Sequence, residues 1–168
     1  MPKRHLFFVG VILFVMTNFY ACGFYSLSGI SIENEETIRI DYFPNKSRLV
    51  SPILSPVFTE KLQQKFVNES PLELVEQNAD LIIDGSITGY SVNPAASGGG
   101  DQAQLNRLTI EVLVNFKNTL KDEEWTQKFR RYEDFEQNET LTDVEEVLID
   151  IIAQQLVDDI FNKALVNW

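Results

Sequence analysis

Apolar residues recur along this chain with two periods, and the switch between them marks out its elements. Thr37 to Phe43 alternates, with Ile38, Ile40 and Tyr42 on one face and Arg39 and Asp41 on the other. That is the pattern of a half-buried strand, and Pro44-Asn45 ends it. From Leu54 the period changes, with Phe58, Leu62 and Phe66 following at every fourth position. This predicts an amphipathic helix whose wet face carries Lys61, Gln63, Gln64 and Lys65. Ser55 is its expected cap, with Pro56 in the first helical position. Leu72 to Val75 is a short strand or an arm.

Alternation resumes at Asp80 to Tyr90, where Leu81, Ile83, Gly85, Ile87 and Gly89 share a face. Two glycines on that face leave room for a helix or a bulge to approach closely. Asn93 to Gln104, with its Ser97-Gly98-Gly99-Gly100 run, reads as a flexible connection. Arg107 to Lys117 is the strongest strand, aligning Leu108, Ile110, Val112, Val114 and Phe116. A turn at Leu120 to Glu123 leads to a last strand, Glu124 to Phe135, so these two strands should form an antiparallel hairpin. Thr142-Asp143-Val144-Glu145 has the form of a capping box. The helix behind it has Leu148, Ile152, Leu156, Ile160 and Ala164 in one row, widened by Val144, Ile151, Val157 and Phe161. A face that broad belongs to a core helix or continues into a partner.

The expected fold is α+β: a mixed four-stranded sheet with two helices on one face, in the order β-α-β-β-β-α. The strand–helix–strand crossover should make its two strands parallel.

The first residues set the location. Lys3 and Arg4 precede an apolar run from Leu6 to Met16, and Ala21 stands before Cys22, the only cysteine. This is the layout of a secretory signal, residues 1–21, cut in front of a cysteine that takes a diacylglyceryl group. The alternatives are an ordinary signal peptide or a short membrane anchor. Residues 22–36 then form a lipidated start and tether, and 37–168 the folded domain. Several acyl chains hold a protein at a bilayer where one is marginal.

The full chain has 14 Lys and Arg against 25 Asp and Glu, a net charge of −11. Such acidity excludes nucleic acid as a partner, because phosphates call for basic stripes. The single histidine, His5, leaves with the signal, which removes His-dependent triads and imidazole metal sites. The glycine run lacks the Lys-Ser/Thr of a phosphate loop. No catalytic residue, metal or cofactor is therefore expected. Lys128, Arg130 and Arg131 make the one basic cluster, and alternation puts Lys128 and Arg130 together, opposite Trp125 and Phe129. They suit an anionic ligand, or they balance Glu133, Asp134 and Glu136.

The segments Ala79-Asp80-Leu81-Ile82-Ile83-Asp84-Gly85-Ser86-Ile87-Thr88-Gly89-Tyr90 and Leu105-Asn106-Arg107-Leu108-Thr109-Ile110-Glu111-Val112 resemble the LptE family of lipopolysaccharide-assembly lipoproteins. Cys22-Gly23-Phe24-Tyr25-Ser26-Leu27 resembles the way that family begins after its lipid, and the ending Asp159 to Trp168 is similar to its Bacteroidetes-type branch. The resemblance implies an outer-membrane lipoprotein facing the periplasm. Such proteins sit in or against the LptD β-barrel, help it assemble, and plug it while lipopolysaccharide passes to the surface. It also implies lipopolysaccharide contact by basic residues, for which Lys128 and Arg130 are the candidates. Two other readings compete with this one. The first is an auxiliary lipoprotein of another envelope transporter, a binding module; the second is an envelope hydrolase using paired carboxylates.

Overall fold

The strand Leu105–Asn118 carries the fold because one side of its middle is apolar. In the computed structural model, which describes residues 32–95 and 105–166, Leu108, Ile110, Val112, Val114 and Phe116 are all buried. They belong to β4, Leu105–Asn118, flanked by β3, Leu81–Ala95, and β5, Glu123–Glu136, both antiparallel to it. The short β1, Thr37–Ile40, joins the other edge of β3 in parallel, as a crossover through α1, Leu54–Glu69, requires.

A fifth strand completes the sheet. Glu73–Leu74, β2, pairs parallel with β1 outside it, giving the order β2-β1-β3-β4-β5. Among the described residues the sheet therefore has five strands rather than four. Two residues, both exposed, are too few for any period to announce.

Both helices pack on the apolar face. The α1 row Leu54, Phe58, Leu62 and Phe66 is fully buried. The long α2, Leu141–Leu165, buries Leu148, Ile152, Leu156 and Ile160 together with Ile149, Ala153, Val157 and Phe161. Phe66 meets Phe161 edge to face at 5.0 Å. Lys61 reaches Asp150 at 2.8 Å, and Lys65 reaches Asp158 at 2.8 Å, clipping the helices together across their wet rims. Ile151 departs from the expected face and is 40% exposed. The buried stripe drifts around a helix of this length, taking in Ile149 and Ala153 instead.

Both helix starts differ from expectation. Helix α1 begins at Leu54 behind Ile53, with no side-chain cap, so Ser55 lies inside it and is buried. Pro56 is tolerated there because the first bond inside the helix is donated by the next residue, Val57, to Ile53. Helix α2 is entered through Thr140, whose hydroxyl donates to Asp143 at 2.7 Å. Glu145 does not close a capping box. It accepts the Tyr90 hydroxyl instead, and burial followed by this partner pushes the phenol above its ordinary range.

The predicted faces of two strands also slip. After Ile40, Tyr42 is 58% exposed and Phe43 is fully buried, the reverse of simple alternation. In β3 the register with β4 shifts between Ile87 and Gly89, so Tyr90 rather than Gly89 faces the core. β3 runs on to Ala95, so Asn93 to Ala95 are paired strand. The rest of the expected connection, residues 96–104, lies outside the described residues, as do the signal segment, Cys22 and Trp168.

Candidate functional site

Among the described residues one face of the sheet carries no helix, and it holds Lys128 and Arg130 of the cluster singled out from the sequence. β-strand alternation sends Lys128, Arg130, Tyr132 and Asp134 of β5 to that side, opposite Leu113, Glu111, Thr109 and Arg107 of β4. Lys128 and Arg130 are indeed together, and Glu111 stands between them. Lys128 Nζ lies 3.6 Å and Arg130 Nε 3.5 Å from its carboxylate. Both contacts are long, and both cations are more than half exposed. Exposed pairs of this kind contribute little to stability, which leaves both groups free to exchange partners. Glu133, Asp134 and Glu136, the expected counter-charges, are not the ones they meet.

Arg131 points to the other side. It forms a two-pronged pair with Asp159 of α2, 2.6 Å on each arm, and so fastens the edge strand to the helix. Arg107 was missing from the candidate set and belongs in it. Its guanidinium lies 3.7 Å from the centre of the Tyr132 ring and grips Asp134 at 2.7 and 2.8 Å. The hydrogen bonds from Arg107 hold Asp134 below the usual carboxylate range. Finding Arg107 from sequence needed the hairpin register, because it comes from a different strand.

Further along the same face, side chains form a ladder across three strands. Thr126 donates to Asn115 at 2.9 Å, and Asn115 donates to Asp84 at 2.7 Å. They line an open groove of about 440 Å³. Their polar atoms satisfy one another, so the groove is a structural feature.

At the pole where the described chain begins, a cavity of about 230 Å³ lies among Ile32, Glu35, Asn118, Lys121, Trp125 and Leu165. Glu35 is its fixed point, with a side chain only 2% exposed. Burial raises the carboxyl pKa. The Glu33 amide, the Asn118 side chain at 2.6 Å, the amide of Glu35 itself and Lys121 at 3.1 Å outweigh this and bring it down from 4.5 to about 2. This carboxylate latches the incoming segment onto the β4–β5 turn. A group whose folded pKa is depressed adds stability that is complete above about pH 4.5 and disappears as pH falls toward 2. Glu35→Gln, which turns an amide toward the Glu33 and Asn34 donors, is expected to cost about 2 kcal/mol at neutral pH. It should also flatten part of the acid limb in thermal melts taken between pH 5 and pH 2. An unchanged acid limb would remove Glu35 from this role.

Among the described residues no group of three or more His, Cys, Asp or Glu side chains is placed to hold a metal. Among them also, no helix is long and apolar enough to cross a membrane.

The model of the LptE family, described as lipopolysaccharide-assembly, matches residues 35–164. No curated protein matches the chain. Solved structures share the fold at low identity. A minor lipoprotein from Acinetobacter baumannii is 11% identical over 77% of this chain and 91% of its own, with a TM-score of 0.53. An uncharacterized lipoprotein B from Nitrosomonas europaea is 14% identical over 83% and 88%, with a TM-score of 0.51. A putative neuraminyllactose-binding hemagglutinin homolog from Helicobacter pylori is 9% identical over 83% and 89%, with a TM-score of 0.52.

Proposed function

The chain belongs to the LptE family of lipopolysaccharide-assembly proteins, and from that premise we propose that it partners and plugs the LptD β-barrel as a lipid-anchored wedge. Cys22, exposed by cleavage after Ala21, carries the lipid and holds the protein at the outer membrane, facing the periplasm. The protein acts through its surface and not as a catalyst.

The observation that supports this reading is the polarity of the fold. Ile32, where the described chain begins, and Leu165, where α2 ends, line the same cavity at one pole. From there β4 runs 14 residues to the far end, roughly 45 Å at strand rise. A stiff body tethered at one end and presenting a polar, helix-free sheet face has the form of a plug. Lys128 and Arg130, loosely held by Glu111, are the cations offered to lipopolysaccharide phosphates. The acidic total confines such a contact to this local patch.

Envelopes extracted in mild detergent and purified through a tag on this protein are expected to yield a large outer-membrane barrel. Cys22→Ala should move the protein from the membrane fraction to the soluble one. Lys128→Ala combined with Arg130→Ala should lower the lipopolysaccharide retained by the purified protein several-fold. Recovery of a monodisperse protein without any barrel would refute the plug. Recovery of an inner-membrane transporter would favour the auxiliary-lipoprotein reading instead.

A further inference from the structure

The two edges of the sheet are unequal. β2 is two residues long, too short to template another strand, whereas β5 runs 14 residues. Among the described residues nothing pairs with the outer side of β5. Long edges are usually guarded by charge, and β5 is heavily charged. The order of those charges is what matters here. Lys128-Phe129-Arg130-Arg131-Tyr132-Glu133-Asp134-Phe135-Glu136 is basic before Tyr132 and acidic after it. Read against itself in the antiparallel sense, the strand is its own complement.

We propose that β5 pairs antiparallel with β5 of a second copy of this chain, with Tyr132 opposite the second copy's Tyr132. Lys128 then faces Glu136, Arg130 faces Asp134, Arg131 faces Glu133 and Phe129 faces Phe135, each pair on one side of the joined sheet. Charge fixes the alignment. Sliding the second strand by two residues sets either Arg131 or Glu133 opposite itself, and opposed like charges are unfavourable. Of the side chains that would meet, Tyr132 is 48% exposed and Lys128 and Arg130 more so, whereas Asp134 is partly covered and held by Arg107, and Phe129 and Phe135 are buried against the core. Arg131 and Glu133 are engaged with Asp159 and Gln155 on the helix side, so the helix-free face supplies most of the pairing. An interface of one strand is smaller than those of permanent dimers, and the association belongs in the micromolar range.

The test uses the full chain in detergent without lipopolysaccharide, so its outcome does not depend on the anion contact proposed above. Sedimentation from about 1 to about 200 μM should show a reversible monomer–dimer equilibrium. Lys128→Glu reverses two symmetry-related pairs and should weaken the dimer about tenfold. Adding Glu136→Lys to it should restore the dimer. Tyr132→Cys should give a disulfide-linked dimer on mild oxidation, because opposed residues of antiparallel strands lie within disulfide reach. Thr126→Cys, whose opposite position falls beyond the end of β5, should not. A monomer throughout the concentration range, a double variant as weak as Lys128→Glu alone, or equal crosslinking at both positions would overturn the proposal.

Discussion

Gly85→Ala is expected to cost about 3 kcal/mol, lowering the melting temperature by roughly 10 °C. Only a hydrogen fits at this position. A Cβ on Gly85 would lie 2.1 Å from the Leu113 carbonyl oxygen and 2.6 Å from the edge of the Phe43 ring. The first neighbour is backbone in the middle of the sheet and has nowhere to go. The second is a fully buried aromatic seated over the strand. Accommodating the methyl means parting β3 from β4 where they are paired along their length, or unseating Phe43. Gly89→Ala is the control. There the new carbon meets only the Glu111 side chain, at 3.0 Å. Glu111 Cβ and Cγ need give only a few tenths of an ångström, against the much deeper overlap at Gly85, so the change should stay within about 1 kcal/mol. Thermal and denaturant melts of both variants settle the matter. Equal effects would mean that Gly85 does not mark a close approach.

Gly85 also shows which features the sequence made readable. Its place on an apolar face called for a helix or a bulge packing closely, and of these only the bulge is found in β3. A side chain, Phe43, sits over Gly85, and a bulge interrupts the strand just before Gly89. The periods of β4 and α1 announced their buried residues correctly, because each lies against the core over its whole length. The start of α1 was less legible: Ser-Pro pairs suggest caps, yet the proline is tolerated within the helix's first turn. β2 falls within the short strand or arm expected at Leu72 to Val75, but its place in the sheet was not legible, since its pairing with β1 is decided by the arm's path in space. The basic cluster was half legible. Alternation placed Lys128 and Arg130 together, but Glu111 and Arg107 enter from another strand. Their position depends on a hairpin that turns after Asn118, one residue before the expected closure.

The second large effect comes from the same corner of the core, where alternation misassigned a pair of neighbours. Phe43→Ala is expected to cost about 4 kcal/mol, and Tyr42→Ala within about 0.5 kcal/mol. A pattern reading of Thr37 to Phe43 predicts the opposite. The cause is one inserted residue. Ile40 lies opposite Ile83 of β3, but Asn45 lies opposite Ile87, so five steps on this segment match four on β3. The surplus residue inverts every side chain beyond it. Asp41 still donates to Ile83, and Pro44, which has no N–H to offer, accepts from Ile87 instead. The inversion carries Phe43 inward against Phe58, ring centres 5.1 Å apart and edge to face, while Thr59 of α1 accepts its amide hydrogen. Phe43 thus joins the end of β1 to the first turns of α1 over the space that Gly85 leaves open. Removing the ring empties a site walled by a sheet and a helix that cannot close over it, which places the expected loss well within the range for aromatic truncations. Urea titration of the two single variants is sufficient. A costly Tyr42→Ala beside a neutral Phe43→Ala would restore simple alternation and remove the inserted residue from the account.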